Sequence, residues 1–444
     1  MSEKLLSAKL EEALSYSKAD QTEVMAFNYQ SNLTRFAGNT IHQNMSETNN
    51  QLLVKAIVDK KIGVYSANSM DSKTIKEAVE KAYQIAASSV AKEDFVSLPE
   101  PNSIQKVERF FQNTADFLPE ERAEEVAKLI SKAKRNNLQA AGAYQTGWVT
   151  LGVANSLGLL SVQSQTEGSV NTVITSYTSS GFASARNVDV SKIDIEDIAG
   201  IAINKALSSQ NPIEVEAGHY DVILEPQAVA EMIGILAYCG LGSQETQEGR
   251  SFMSTNIGKQ IADRSVSLLD DALNPKMTGF SFDFEGVAKQ KVCFIDKGMA
   301  KNVVYDTFSA NKEGKKSTGH ALPPASKHGP MPLNLILKPG QKTYDDLIRE
   351  TKKAVLVTRF HYTNIEDPVQ TIFTGMTRDG TFLIENGKIT KSLKNMRFTQ
   401  SILGALSNTI GITNKQQLVE GMGGSYLCPA IAVKNFNFSS LTKF

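Results

Sequence analysis

The chain has 444 residues, more than one hydrophobic core usually supports, so two or three domains are expected. Apolar residues make up 41% and charged residues 21%, the balance of a globular protein rather than a disordered one. Lys plus Arg equals Asp plus Glu, which argues against a dedicated nucleic-acid binder, since such a protein needs a basic footprint.

The first residues, "MSEKLLSAKLEEALSYSKAD", read as an amphipathic helix of mixed charge without the apolar stretch of a signal peptide. The longest apolar run, Met232 to Leu241, is too short to cross a bilayer. Three cysteines far apart (Cys239, Cys293, Cys428) point to reduced thiols. These features together predict a cytoplasmic protein with no membrane partner.

Residues 1–210 read as one unit present twice. "GVYSANSMD" (Gly63 to Asp71) matches "GFASARNVD" (Gly181 to Asp189), and Ser46 and Thr48 fall on Ser164 and Thr166. "KEAVEKAYQIAASS" (Lys76 to Ser89) then falls on "EDIAGIAINKALSS" (Glu196 to Ser209). The opening helix pairs with "PEERAEEVAKLISKAKRNN", whose basic end, Lys128 to Asn137, reads as a solvated helical face. Each copy, about 1–90 and 119–210, is a helix, several antiparallel strands and a helix. Between them, 91–118 reads as a linker, with three prolines in the stretch from Glu93 to Pro119.

From 211 to 444 the chain is richer in strands. Tyr220 to Leu224 is a short apolar strand, and Glu225-Pro226 opens a helix that runs to about Cys239 and stops at Gly240. That helix is apolar almost all round, so burial is expected. Only Gln227, Glu231 and Cys239 on it bear any chemistry. A polar loop with Glu245, Glu248 and Arg250 follows. "SANKEGKKSTGHALPPASKHGPMP" (Ser309 to Pro332) reads as a mobile surface loop, with His320 and His328 exposed on it. Pro339-Gly340, Asp379-Gly380 and Asn386-Gly387 read as turns, the last closing the hairpin "TFLIENGKITKS". Helices are predicted at Tyr344 to Lys353 and Thr399 to Ser407, and "GMGGS" (Gly421 to Ser425) reads as a bend.

No complete catalytic constellation emerges. None of His42, His219, His320, His328 and His361 lies three to five residues from another, so no helical pair can hold zinc. The Ser-x-x-Lys matches at Ser15 and Ser131 sit on amphipathic helices and read as chance. Asp270, Asp271, Asp283 and Glu285 concentrate carboxylates and read as turn and strand-end acids, with cation binding or acid–base work as the alternative.

In order and spacing, the pieces "GRSFMSTNIGKQIAD", "LLDDALNPKMTGFSFDFEG", "FIDKGMAKNVVYDTFSA", "STGHALPP", "PMPLNLILKPG" and "LIENGKI" resemble the TldD/PmbA family, also called TldD/TldE and once labelled modulators of DNA gyrase. The resemblance implies an α+β fold: a duplicated α/β N-terminal domain followed by a strand-rich antiparallel C-terminal domain. The TldD kind is a metallopeptidase with His-Glu-x-x-x-His on the helix after the strand, plus a downstream cysteine. The PmbA kind lacks these ligands and pairs with a TldD. Anchoring on Gly249 to Ser251 puts the motif positions at Gly234, Ile235 and Cys239, none of them the required residue. Cys428, beside the last strand's proline, does not fit the TldD cysteine.

The resemblance therefore implies a PmbA-like subunit with no metal or catalytic residue of its own. Zinc is expected in a TldD-type partner, and the substrate in short or unfolded peptides during maturation or proteolysis. Arg250, Ser251 and His320 are candidate cleft-lining residues, and a homodimer is the candidate state of the isolated chain. Two other readings are a self-sufficient hydrolase, using Cys239 with His320 or the acids at 270–285, and a binding protein acting on gyrase or another target.

Overall fold

A computed structural model describes residues 1–324 and 326–442. The α+β class expected from sequence holds, with helix-and-strand units preceding a strand-rich half. The Ser2 side chain accepts from the Leu5 amide and starts α1 (Glu3–Ser15). Three strands follow, β1 (Gln21–Ala37), β2 (Thr40–Val58) and β3 (Lys61–Ala67), and then α2 (Ser72–Ser88), capped by Asp71. After a short helix, α3 (Gln112–Ala115), the pattern recurs as α4 (Pro119–Arg135), β4 (Gln139–Asn155), β5 (Leu160–Thr175), β6 (Ser180–Asn187) and α5 (Ile195–Ser208). The strands form one antiparallel sheet in the order β3-β2-β1-β4-β5-β6, so the two units meet at β1 and β4.

The matched glycines explain part of the repeat. A Cβ on Gly63 would stand 2.9 Å from Ala86 Cα, and one on Gly181 would stand 2.5 Å from the Ala206 amide nitrogen. At both places the helix backbone lies directly on the strand, which only glycine allows. Alternation along the strands separates two faces. Val24, Ala26, Leu52 and Val54 pack under α1 and α2, while Met25, Leu53, Leu151 and Val153 meet Phe282 from the second half.

Residues 91–118 are more than a linker. Arg109 is buried, donating to the carbonyls of Gly279 (2.9 Å), Asn274 (3.1 Å) and Ala272. Thr166 donates its amide to the Arg109 carbonyl. The segment is thus a strap between the first sheet and the second half.

The second half begins with β7 (Gly218–Leu224), α6 (Pro226–Gly240) and α7 (Ser243–Gln247). It continues through β8 (Leu268–Asp270), β9 (Val292–Asp296), β10 (Met299–Ala300), α8 (Thr307–Lys312), β11 (Leu335–Leu337) and α9 (Tyr344–Arg349). It ends with β12 (Lys353–Asp367), β13 (Ile372–Glu385), β14 (Lys388–Ser392), β15 (Met396–Ser401), α10 (Ile402–Ser407), β16 (Thr409–Glu420) and β17 (Ser425–Leu441). β7 pairs with both β12 and β17, so β7, β12, β13, β15 and β17 close on themselves. The rings of Phe360, Phe373, Phe398 and Phe436 pack together in the main core, which also contains most of α6. No helix among the described residues is long and apolar enough to cross a membrane.

Several local expectations change. Asn386-Gly387 is the hairpin turn, with φ of 48° and 78°, and Gly421 to Gly424 turns β16 into β17. Asp379-Gly380, however, is not a turn. The two residues bulge inside β13 opposite Thr358, where the β12 register shifts, with φ of 55° and 122°. The predicted helices at 344–353 and 399–407 are shorter because their flanking residues belong to β12 and β15. Gly240 has no left-handed cap. It is small because a Cβ there would overlap Ser251 Oγ and stand 3.0 Å from Phe252.

The 309–332 segment is stitched inward at both ends rather than lying free on the surface. Thr318 and Tyr305 exchange hydrogen bonds, Ala321 donates to Asp283, and Met331 donates to the His320 carbonyl. Ser326, Lys327 and His328 remain exposed, and Ala325 lies outside the described residues.

Candidate functional site

α6 is the natural place to begin. Pro226 at its first position needs no hydrogen-bond donor, and the helix is buried along almost all its length. The exceptions are informative. Tyr238 is exposed and meets the His328 ring edge-on at 5.2 Å. Glu231 is half-buried against β12, where Thr363 Oγ1 donates to it at 3.4 Å. Burial pushes its carboxyl up to about 7, against the pull of Arg359.

Gly234, Ile235 and Cys239 all lie inside the core. A Cβ on Gly234 would stand 2.9 Å from Cε2 of Tyr426 and 3.4 Å from its hydroxyl oxygen. The Tyr426 ring is fully buried, and a Cβ on Gly421 would stand 2.5 Å from its Cδ2. The ring is therefore held between two glycines, with its hydroxyl donating weakly to the Met422 carbonyl at 3.4 Å. Ile235 offers no base. Burial alone pushes the Cys239 thiol up to about 12, and Cys428 is raised the same way. A thiol held protonated in an apolar core is a poor metal ligand. These positions do not fit zinc.

The other singled-out residues are scattered. Ser251 is buried, and its hydroxyl donates to the Gly240 carbonyl at 2.7 Å, closing the end of α6 instead of lining a cleft. Arg250 is exposed and pairs with Glu248. His320 is 1% exposed, contrary to its expected surface position. Its Nε2 lies 3.2 Å from Asp270 Oδ1 and its Nδ1 lies 3.0 Å from Thr318 Oγ1. Asp270 also accepts from the Asn334 amide, and Lys289 donates to Asn334 Oδ1. Burial outweighs Asp270 and holds His320 below its ordinary value. Both ring nitrogens are engaged in this buried network, which leaves none for Cys239. The network ties the 309–332 segment to β8.

The acids of "FSFDFEG" do not join α6 either. They dock on the open face of the first sheet. Gln163 and Gln165 accept from the Ser281 and Gly279 amides, and Ser161 donates to the Gly286 carbonyl. Asp283 accepts amides from Glu285, Val287 and Ala321, yet burial, with Glu285 adding, pushes it up to about 8.

This docking creates a site that sequence reading missed. Glu23 on β1 and Lys55 on β2 are direct cross-strand neighbours facing the second half. Lys55 Nζ lies 3.7 Å from Glu23 Oε1 and 4.0 Å from Glu285 Oε1. Burial pushes Glu23 up to about 7; Lys55 opposes this and Glu285 adds to it. Burial works against the Lys55 ammonium, but Glu23, Glu285 and Asp306 outweigh it and hold its pKa above the ordinary value. A cavity of about 270 Å³ opens here, bounded by the strap at Phe95 to Leu98, by α8 and by residues on either side of Ala325. The available signal was a charge inside an otherwise apolar strand, "TEVMAF".

Comparison with known proteins places this architecture. Residues 217–440 match the model of the PmbA/TldA metallopeptidase C-terminal domain, and residues 22–86 match that of PmbA/TldA metallopeptidase domain 1. TldE from Thermococcus kodakarensis superposes with a TM-score of 0.89 at 22% identity, covering 97% of this chain and 99% of that one. A candidate modulator of a DNA gyrase from Thermotoga maritima gives 0.87 at 17% identity, with the same coverage. An uncharacterised protein of Methanocaldococcus jannaschii is 22% identical across 86% of this chain and 87% of its own length. The metalloprotease TldD homologue of Buchnera aphidicola is 28% identical over 51% of this chain and 45% of its own. The chain thus spans about half the length of that relative. With one family model matching residues 217–440 and another matching residues 22–86, from β1 into α2, the chain belongs to the PmbA/TldD metallopeptidase family.

Proposed function

We propose that this chain is a non-catalytic, PmbA/TldE-like subunit that completes a TldD-type zinc metallopeptidase acting on short or unfolded peptides. The observation that carries the reading is the Tyr426 ring packed against Gly234, with Ile235 and Cys239 in the same apolar core. A metallopeptidase needs a metal-bound water and a base to activate it, and these side chains supply neither. Zinc and the general base then come from the partner. The structural likeness to the Thermococcus TldE supports the reading at the level of fold.

The test is co-expression with a family member from the same genome that carries His-Glu-x-x-x-His. The two chains are expected to co-elute on size exclusion, and peptide cleavage is expected only when both are present. Elemental analysis should find zinc with the partner and not with this chain alone. Stoichiometric zinc in the isolated chain would overturn the reading. So would full activity of the partner without it.

A further inference from the structure

The cavity between the first sheet and the second half has acceptors without donors. Glu23 is 1% exposed, and neither of its carboxylate oxygens has a hydrogen-bond donor among the described residues; its contact with Lys55 is a loose ion pair. Thr307 Oγ1, on the same cavity wall, is also buried without a hydrogen-bond partner. The other acids here are better served. Glu285 Oε2 accepts the Thr307 amide at 3.0 Å, and Asp306 caps α8 through the Ser309 amide at 2.7 Å. Buried acceptors of this kind are costly unless something donates to them. Around Glu23, the carboxylates of Glu23, Glu285 and Asp306 outnumber the ammonium of Lys55, so this end of the cavity favours positive charge, although Lys92 and Lys327 also line the cavity.

Shape narrows the ligand further. Phe95, Leu98, Phe308 and Leu322 supply apolar walls, and the mouth opens beside the exposed Val96 and Lys327. A volume of about 270 Å³ takes one or two residues' worth of atoms and no folded partner. No group of three or more His, Cys, Asp and Glu among the described residues is placed to hold a metal ion, which turns the choice to an organic cation.

We propose that this cavity binds a primary ammonium group on a short apolar stem, as found at a peptide's amino terminus or on a lysine side chain. The ammonium donates to both oxygens of Glu23 and to Thr307 Oγ1, and its stem lies against Phe95 and Phe308. The proposal rests on the cavity's own atoms and not on the subunit reading.

The full-length chain is titrated calorimetrically with L-leucinamide, with Nα-acetyl-lysinamide and with N-acetyl-leucinamide. Saturable binding is expected for at least one of the two amines and none for N-acetyl-leucinamide, which carries no ammonium. The tighter amine identifies the source, terminus or side chain. Glu23→Gln is expected to weaken binding by about tenfold or more, the usual worth of a charge-assisted hydrogen bond. Thr307→Val is expected to weaken it less, and circular dichroism checks that each variant is folded. If Glu23→Gln does not fold, Glu285→Gln takes its place, with the same direction expected. Equal binding of all three probes, no binding of either amine, or unchanged affinity in the folded variants would overturn the proposal. Failure of this titration leaves the zinc and partner experiments untouched.

Discussion

The ring of Tyr426 stands where a side chain on Gly234 would have to go, 2.9 Å from the position of its Cβ. In an ordinary helix interior, glycine to alanine gains up to about 1 kcal/mol. Here the ring cannot swing away, because it is fully buried and Gly421 backs it from the other side. Gly234→Ala is therefore expected to destabilise the chain by about 1–2 kcal/mol. Tyr426→Ala should itself cost about 3–5 kcal/mol through the cavity it leaves. In that background Gly234→Ala should become neutral or favourable, a coupling that urea unfolding of the double-mutant cycle measures. A stabilising effect of Gly234→Ala in the wild-type background would mean that the ring is free to move.

What the sequence disclosed follows from how local each signal is. α6 and β7 were legible because periodicity and Pro226 are written into consecutive residues. The Asn386-Gly387 turn was legible for the same reason. Asp379-Gly380 looked identical in kind, but positive φ serves a bulge as well as a turn, and only the β12 register decides between them. His320 was misplaced because its burying partner, Asp270, lies on β8 and is brought to it by tertiary folding. At the proposed degenerate site the absence of His and Glu could be read directly from positions 234, 235 and 239. What fills their space could not, since Tyr426 reaches Gly234 only through the placement of β17. Glu23 and Lys55 were invisible as a pair for a similar reason: cross-strand register makes them neighbours.

The two halves are also joined at Asp379, which makes a second prediction. Its carboxylate accepts from Ser180 Oγ on β6 at 2.7 Å and from both Nε and Nη2 of Arg359 on β12. The Arg359 guanidinium in turn lies 4.4 Å from the centre of the Phe182 ring on β6. Asp379→Ala would leave that guanidinium without its carboxylate and remove a residue tolerant of positive φ. A loss of about 2–3 kcal/mol is expected. Asp379→Asn keeps the bulge and the Ser180 contact and should lose less. Chemical denaturation of both variants orders them, and equal stability of Asp379→Ala and wild type would show the pair to be dispensable.

A third prediction concerns pH. Glu23 faces Lys55 from β2 and Glu285 and Asp306 from the second half, and it is held near 7 against an ordinary 4.5. Between those values the folded chain keeps a proton that the unfolded chain has released. Stability therefore falls as pH rises from about 4.5 to about 7, and Glu23's contribution levels off above that. Asp283 acts in the same direction, from 3.8 up to about 8. One fully coupled proton sets a slope of about 1.4 kcal/mol per pH unit at most. Urea midpoints taken from about pH 5 to about pH 8 should decline, and Glu23→Gln should make the decline shallower. A midpoint that rises across this range in the wild-type chain would reverse the sign assigned to these two acids.

Building the His-Glu-x-x-x-His motif on α6 is the most direct trial of the proposed degenerate site. Gly234→His, Ile235→Glu and Cys239→His together place His-Glu-x-x-x-His on α6, yet efficient zinc-dependent cleavage is not expected. The first histidine must displace the Tyr426 ring, which has no open space to enter. The glutamate would enter a core position that is 6% exposed and surrounded by apolar side chains. Burying that carboxylate and the two imidazoles unpaired should cost several kcal/mol in total, so a large drop in the unfolding midpoint is expected. The site would also lack the third protein ligand and the outer hydrogen bonds that orient histidine ligands, which matter nearly as much as the ligands themselves. Adding Tyr426→Ala to the triple variant opens the space and separates the steric cause from the missing ligand. Zinc uptake without turnover in this quadruple variant is the expected result. Efficient cleavage by the triple variant alone would mean that the ring yields and that a third ligand is already in place.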